Sequence, residues 1–90
     1  MRADAVPARR LDARVRNVGG TILVAGPREV LELTETAAFV WNRIDGERTI
    51  QALGQELANE YDVELETATD DVAELLDELL ANDLVDVRDG

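Results

Sequence analysis

The stretch from Glu29 to Thr49, EVLELTETAAFVWNRIDGERT, combines the signals of a strand, a complete helix and the start of a second helix. Its first five residues alternate, with both leucines on one face, which predicts a short strand. Thr34 is a good helix N-cap because its hydroxyl can accept a hydrogen bond from an amide of the following turn. Apolar residues then recur at helical spacing until Asp45-Gly46, where glycine readily adopts the left-handed conformation that ends a helix. The stretch therefore predicts a strand that leads directly into a helix.

Two further strands are predicted on the N-terminal side of this stretch. Residues 13–18 alternate in polarity, and residues 21–25 form a run rich in β-branched side chains. Gly19-Gly20 between them supplies the positive φ angles that a two-residue hairpin turn requires. Together with residues 29–33, these segments predict a three-stranded antiparallel sheet.

Two more helices are predicted on the C-terminal side. The second runs from its cap at Thr49 to Tyr61, with Gly54 as its weak point. A loop of about six residues, a length typical of helix–helix connections, leads to a third helix that is capped near Thr67 and ends at Asn82, a residue able to adopt left-handed angles. Residues 84–87 form a short extended tail. The order of elements predicts an α+β, winged-helix-like fold, in which a three-stranded antiparallel sheet is followed by three α-helices.

The chain length of 90 residues suits one small domain. Residues 1–12 lack periodicity and include Pro7, so we expect a flexible N-terminal arm there and a folded domain over residues 13–88. No apolar run approaches the ~18 residues of a membrane span, and the N-terminus lacks the apolar centre of a secretory signal. We therefore expect a cytoplasmic protein without a membrane partner.

The composition excludes several classes of protein. The chain contains no Cys, His, Ser or Lys. Without these residues there is no disulfide framework, no zinc site of the usual ligand types and no Ser-His-Asp hydrolase, and an acyl carrier would lack the Ser that bears its phosphopantetheine arm. The Asp45-Gly46-Glu47 triplet lacks the alternating acids of a calcium loop. We expect no enzymatic activity, no metal site and no cofactor.

The net charge of −11 is concentrated in the C-terminal half. Residues 1–50 carry eight arginines and seven acidic residues, whereas residues 51–90 carry one arginine and thirteen acidic residues. The third predicted helix, which would enter a DNA groove in a winged-helix protein, has many carboxylates and no basic residue, so it repels phosphates. Paired acids such as Asp70-Asp71 are interpreted as a solvated helix face and not as an acid–base pair. We expect no nucleic-acid partner, although a winged-helix regulatory or DNA-binding domain stays an alternative.

Two surfaces of the predicted fold are suited to binding another chain. The third strand is short and lies at the end of the meander, where its unpaired amides and carbonyls can take an extended peptide as a fourth strand. On the third helix, apolar residues form a main stripe and a second row beside it: Ala68, Val72, Leu75 and Leu79, then Ala73, Leu76 and Leu80. The second row either packs into the core or borders a groove.

The order and spacing of these signals resemble those of the PqqD family, the small proteins of pyrroloquinoline quinone synthesis and their relatives that recognise ribosomally made, modified (RiPP) peptides. The family typically shows a Leu-Asn pair, an Ala, an apolar pair, and an Asp-Gly followed by a Thr that opens the next helix. The corresponding residues here are Leu33, Thr34, Ala37, Val40-Trp41, Asp45-Gly46 and Thr49, and later Asp71-Val72, Leu75-Leu76, Leu79 and Leu84-Val85. Thr34 replaces the usual Asn, and since both residues cap helices the fold is unaffected. The resemblance covers about residues 13–88.

The resemblance implies binding of the leader segment of a precursor peptide and its presentation to a modifying enzyme. In such proteins the leader adds an antiparallel strand to the third strand and packs against the third helix. The implied peptide-binding residues are Arg28, Glu29, Val30, Leu31 and Glu32, with Val72, Ala73, Leu76, Asp77 and Leu80. The implied partners are the precursor peptide and an enzyme such as a radical S-adenosylmethionine enzyme or a leader peptidase, as in lasso-peptide pathways. A generic protein–protein interaction module is a further alternative.

Overall fold

The computed structural model describes residues 2–89, over which the chain forms five strands and three helices. The elements are β1 (Val6–Arg9), β2 (Arg14–Val18), β3 (Thr21–Ala25), β4 (Val30–Leu33), α1 (Glu35–Arg43), α2 (Ile50–Tyr61), α3 (Leu65–Ala81) and β5 (Val85–Arg88). Strands β2, β3 and β4 form one antiparallel sheet in that order, and β1 pairs with β5 in a separate antiparallel ribbon.

The main sheet and the helices agree with the sequence-based expectation. Strands β2 and β3 meet at a hairpin in which Gly19 has a φ of 60° and Gly20 a φ of 90°, as the two-residue turn requires. Strand β4 pairs with β3, and α1, α2 and α3 follow in the chain. The α+β class, with a three-stranded antiparallel sheet followed by three helices, is therefore confirmed. The likeness to winged-helix proteins stays a prediction.

The N-terminal segment is held to the fold by long-range backbone pairing. In the β1–β5 ribbon Pro7 lies opposite Val87, and both Ala5 and Pro7 are buried. The Ala5 carbonyl also accepts a hydrogen bond of 3.0 Å from the amide of Ile50 at the start of α2. Residues 6–9 thus form a strand within the segment for which the sequence predicted a flexible arm, while Met1 lies outside the described residues. A four-residue strand containing proline has no alternation of its own, so only its distant partner reveals it.

Two helices begin at the capping residues that the sequence predicted. The hydroxyl of Thr34 accepts from the amide of Ala37 at 3.2 Å, and the hydroxyl of Thr49 accepts from the amide of Ala52 at 3.0 Å. Each bond satisfies one of the amides that lack a partner in the first turn of a helix. Both predicted caps are confirmed.

The ends of α3 differ from the prediction. The helix begins at Leu65 and not near Thr67, and its N-cap Glu64 makes no side-chain cap bond. The start is earlier because a left-handed residue at the end of α2 reverses the chain within a short turn. At the other end, Asp83 has the left-handed conformation, with a φ of 58°, whereas Asn82 has a φ of −102°.

The core lies between the inner face of the main sheet and the helices. Val24 of β3, Trp41 of α1 and Leu76 of α3 are each 1% exposed or less and belong to one cluster of buried side chains. Helix α2 lies close against α3 at Gly54, which faces Thr69. Within residues 2–89, no helix is long and apolar enough to cross a membrane.

The turn after α1 is held by a carboxylate. Oδ1 of Asp45 accepts hydrogen bonds from the amides of Glu47 at 3.0 Å and Arg48 at 2.8 Å. Gly46 has a φ of 81°, so the left-handed glycine lies in this turn, whereas the C-cap of α1 is the extended residue Ile44. The Asp-Gly pair therefore shapes the connection to α2 and does not itself cap α1.

Asp45 makes stability depend on pH. Hydrogen bonds from the amides of Arg48 and Glu47 lower the pKa of its carboxyl group. A pKa that is lowered on folding gives stability that is fully present above the unfolded-state value and is lost as the pH falls through the folded-state value. We therefore expect the Tm of the wild-type chain to fall more steeply below about pH 4 than that of Asp45→Asn, which has no charge to lose. Thermal melts followed by circular dichroism would contradict this if the two curves ran parallel.

Candidate functional site

Strand β4 has a free edge. It is the last strand of its sheet, and no strand within the described range pairs with its outer side. The amide of Gly26 donates to the carbonyl of Glu29 at 3.2 Å, so Gly26 and Glu29 form a hydrogen-bonded pair at the end of the β3–β4 ladder. This pair determines which residues of β4 direct their backbone groups toward β3. Backbone groups of an antiparallel strand point alternately to its two sides, so those of Leu31 face β3 and those of Val30 and Glu32 point outward. The edge thus offers two outward-facing N–H and two outward-facing C=O groups.

Beside this edge lies a groove with a volume of about 430 Å³ between β4, α1 and α3. We call it the β4–α3 groove. Its floor is apolar and largely buried, and its rim is polar and exposed; the floor comprises Leu33, Ala37, Val40, Leu57 and Leu75, and the rim comprises Glu32, Thr34, Thr36, Asp71, Glu74 and Glu78. An apolar side chain of a bound peptide would therefore be desolvated on the floor while its neighbours stay at a wet rim.

The rim of the β4–α3 groove is negatively charged. Glu32 of β4 and Asp71, Glu74 and Glu78 of α3 all line the opening, and no arginine of the described chain lines it. None of these four carboxylates forms an ion pair with any residue from 2 to 89. The groove consequently presents four uncompensated negative charges to solvent.

The strand half of the predicted site lies beside the groove. Val30, Leu31 and Glu32 belong to β4, and Val30 is 61% exposed at the free edge. Arg28 and Glu29 lie in the turn that precedes the strand. The guanidinium of Arg28 donates to the carboxylate of Asp83 at 2.9 Å, which ties this turn to the segment after α3. These residues therefore form one continuous edge, with Arg28 already engaged within the chain.

The helix half of the predicted site lies elsewhere on α3. Val72 and Leu76 are each 0% exposed and belong to the core. Successive residues of an α-helix are rotated by about 100° about its axis. The side of α3 that carries Ala73, Asp77 and Leu80 is therefore about 140° away from the side that lines the groove. Leu80 is 41% exposed, on a side of α3 that does not face β4. The structure does not bring these five residues to the β4–α3 groove.

The face of α3 that does border the groove was missed from the sequence. It consists of Asp71, Glu74, Leu75 and Glu78. The sequence pattern assigned Leu75 to the main core stripe, and paired acids such as Asp70-Asp71 were interpreted as a solvated helix face. The apolar face of α3 is wide enough to suit more than one rotation of the helix about its axis, and in the structure Thr69 faces Gly54 of α2. The periodicity of α3 alone contains no signal for that choice.

Known proteins share this sequence pattern. A family model described as coenzyme PQQ synthesis protein D (PqqD) matches residues 20–85. A protein of Xanthomonas axonopodis pv. citri named PqqA binding protein is 35% identical over 78 residues, which cover 84% of this chain and 85% of that protein.

Solved structures share the fold. A lasso peptide synthetase B1 complexed with the leader peptide superposes with a TM-score of 0.76 at 26% identity, over 88% of this chain and 95% of that one. The PqqD part of Methylobacterium extorquens PqqCD, described as a stand-alone RiPP recognition element, superposes with a TM-score of 0.76 at 22% identity, over 90% of this chain and 88% of that one. The second likeness supports the fold alone.

Proposed function

This chain belongs to the PqqD family, and we propose that it binds the leader segment of a ribosomally synthesised precursor peptide and presents that peptide to a modifying enzyme. The observation that carries the proposal is the free edge of β4 beside a groove with an apolar floor. An extended peptide suits both features at once, because its backbone extends the sheet while every second side chain enters the groove. The family membership confirms the resemblance inferred from the sequence motifs.

The relatives support a binding role. One is named for binding PqqA, and a structural relative was solved with a leader peptide. PqqD-type recognition elements are binding modules, and we propose that this chain likewise has no turnover of its own. A separate enzyme must then act on the bound peptide. A radical S-adenosylmethionine enzyme and a leader peptidase are both candidates, and a neighbouring gene for one of them, next to a gene for a short peptide, would identify the pathway.

Binding would have two components with different roles. Hydrogen bonds to the outward groups of Val30 and Glu32 are indifferent to peptide sequence, so they supply affinity without much selectivity. Selectivity comes from a side chain that packs on Leu75 and Leu33 in the floor of the groove. Micromolar binding corresponds to about −8 kcal/mol, which a strand of some six residues with one or two buried side chains can supply.

A titration of the ¹⁵N-labelled protein with the leader of the neighbouring precursor peptide tests the proposal. We expect amide shifts in β4 and in the half of α3 around Leu75, and smaller shifts on the opposite side of α3 near Leu80. Shifts confined to other parts of the chain would contradict strand addition. Equal affinity for the leader with its sequence reversed would contradict side-chain selectivity.

The variant Val30→Pro tests the contribution of the β4 edge to peptide binding separately from that of the groove. Proline has no N–H, so the variant removes one outward donor while leaving the groove lining intact. We expect leader binding to weaken about fivefold to tenfold, since one hydrogen bond contributes about 1 kcal/mol and the proline ring also hinders close approach. Val30→Thr keeps the donor and is the matched control. Isothermal titration calorimetry with both variants gives the comparison, and equal affinities would contradict pairing at this position.

A further inference from the structure

The four rim carboxylates of the β4–α3 groove are arranged at a cost to the folded chain. Asp71 and Glu74 are three residues apart on α3, and Glu74 and Glu78 are four apart, so like charges are neighbours on one helix face. Glu32 adds a fourth negative charge from the strand side. The ion pairs within residues 2–89 involve other carboxylates, although the chain has nine arginines. No ion pair between residues 2 and 89 compensates this repulsion.

The charges surround the apolar floor at a spacing that suits a strand. Leu75 lies about one turn from Asp71 and about one turn from Glu78, and a helical turn rises about 5.4 Å. In an extended peptide, side chains on one face are about 6.6 Å apart, at every second residue. A peptide with an apolar side chain on Leu75 therefore directs its residues two positions before and after toward the rim carboxylates.

We infer that this groove selects an extended peptide with an apolar residue flanked, two positions away on one or both sides, by lysine or arginine. This inference rests on the proposed peptide-binding function and specifies its substrate class. Glu74 and Glu78 lie at the rim beside Leu75 and attract the basic side chain of the peptide. Asp71 and Glu32 add to the negative electrostatic potential of the groove. The charges lie at an exposed rim, so they act mainly on selectivity and association rate, and salt weakens them.

Selection from a displayed library of ten-residue peptides, randomised at every position, tests the inference without a known leader. We expect enriched peptides to contain an apolar residue with Lys or Arg two positions away. Resynthesis with Gln in place of each basic residue should weaken binding about threefold to tenfold, the effect of one or two exposed ion pairs. The difference should shrink as sodium chloride is raised from about 50 mM to about 500 mM, because the Debye length shortens.

Two double variants test whether the preference for basic peptides depends on the carboxylates of the groove rim. Glu74→Gln/Glu78→Gln removes two rim charges and should abolish the preference for the basic peptide over its Gln version. Glu66→Gln/Asp70→Asn removes two exposed charges from α3 outside the groove lining and should keep the preference. We expect the rim variant to melt no lower than the wild-type chain, because it relieves repulsion between like charges. A lost preference would therefore not reflect unfolding.

The outcomes separate this inference from the proposed function. The charge selectivity is overturned if the enriched peptides bind β4 and the groove but show no preference for a basic residue. It is also overturned if the Glu74→Gln/Glu78→Gln variant keeps that preference. Both results leave peptide binding in place. No enriched peptide, or enriched peptides whose binding leaves the amides of β4 and α3 unshifted, overturns both.

Discussion

Leu76→Ala is expected to lower the free energy of unfolding by about 2 to 5 kcal/mol. The side chain is 0% exposed and belongs to the same cluster as Val24 of β3 and Leu53 of α2. Its removal loses buried apolar contacts and leaves a cavity that the helix and the sheet can only partly fill. The total free energy of unfolding of a small domain is about 5 to 15 kcal/mol, so the expected loss is a large fraction of its stability. Each kcal/mol should lower the Tm by about 4 to 8 °C.

Leu80→Ala is the matched control for this experiment. It is the same substitution on the same helix, but Leu80 is 41% exposed, so we expect a change within about 0.5 kcal/mol. Urea denaturation followed by circular dichroism compares the two variants with the wild-type chain. Equal midpoints for Leu76→Ala and Leu80→Ala would contradict the core position of Leu76. A second measurement uses the leader peptide below the melting range, where Leu75→Ala and not Leu76→Ala should show the larger loss of affinity.

Gly54→Ala is expected to destabilise the chain by about 1 to 3 kcal/mol, the usual cost of overpacking. A Cβ atom at this position would lie 2.5 Å from Oγ1 of Thr69 and 3.0 Å from its Cα. Because the second of these atoms is backbone, a side-chain rotation cannot relieve the contact, and α2 must move away from α3. Intrinsic helix propensity alone has the opposite sign, since alanine is more favourable than glycine by about 1 kcal/mol. The sign of the measured change therefore distinguishes packing from propensity.

Two further variants test the cause of that loss. Gln55→Ala changes the adjacent exposed residue of α2 and should alter stability by less than about 0.5 kcal/mol. Thr69→Ala in the Gly54→Ala background removes the nearest atom but keeps the backbone contact, so we expect partial recovery. A double-mutant cycle built from denaturation midpoints measures the coupling between the two positions. A stabilising Gly54→Ala, or zero coupling with Thr69, would contradict the close crossing.

Features that depend on neighbouring residues were predictable from the sequence. The caps at Thr34 and Thr49 and the Gly19-Gly20 hairpin each involve partners within three residues. The alternation in β4 likewise separates Leu31, which packs toward the core, from Val30, which is exposed. The family resemblance draws on the same local signals.

Features that depend on distant partners were not predictable in this way. β1 pairs with β5 from the opposite end of the chain, and its four residues resemble a loop when taken alone. The left-handed conformation at Asp83 rather than Asn82 belongs to a turn in which Asp83 also accepts the hydrogen bond of Arg28. In each case the stabilising contact is tertiary.

The amino-acid sequence was sufficient for the strand-to-helix order and the caps, because each follows from hydrogen bonds and side-chain alternation within a few residues. The strand order put β4 at the end of the meander, and within residues 2–89 its outer edge is free because β1 and β5 pair with each other. The sequence was also sufficient for the negative charge of the third helix. The tertiary structure alone decided which of those charges surround a groove. In the folded chain Thr69 of α3 faces Gly54 of α2, Leu76 lies in the core and Leu75 lines the groove beside β4. A helix with a broad apolar face has no preferred rotation about its axis until another element packs against it. That packing determines which acidic residues of α3 line the peptide groove.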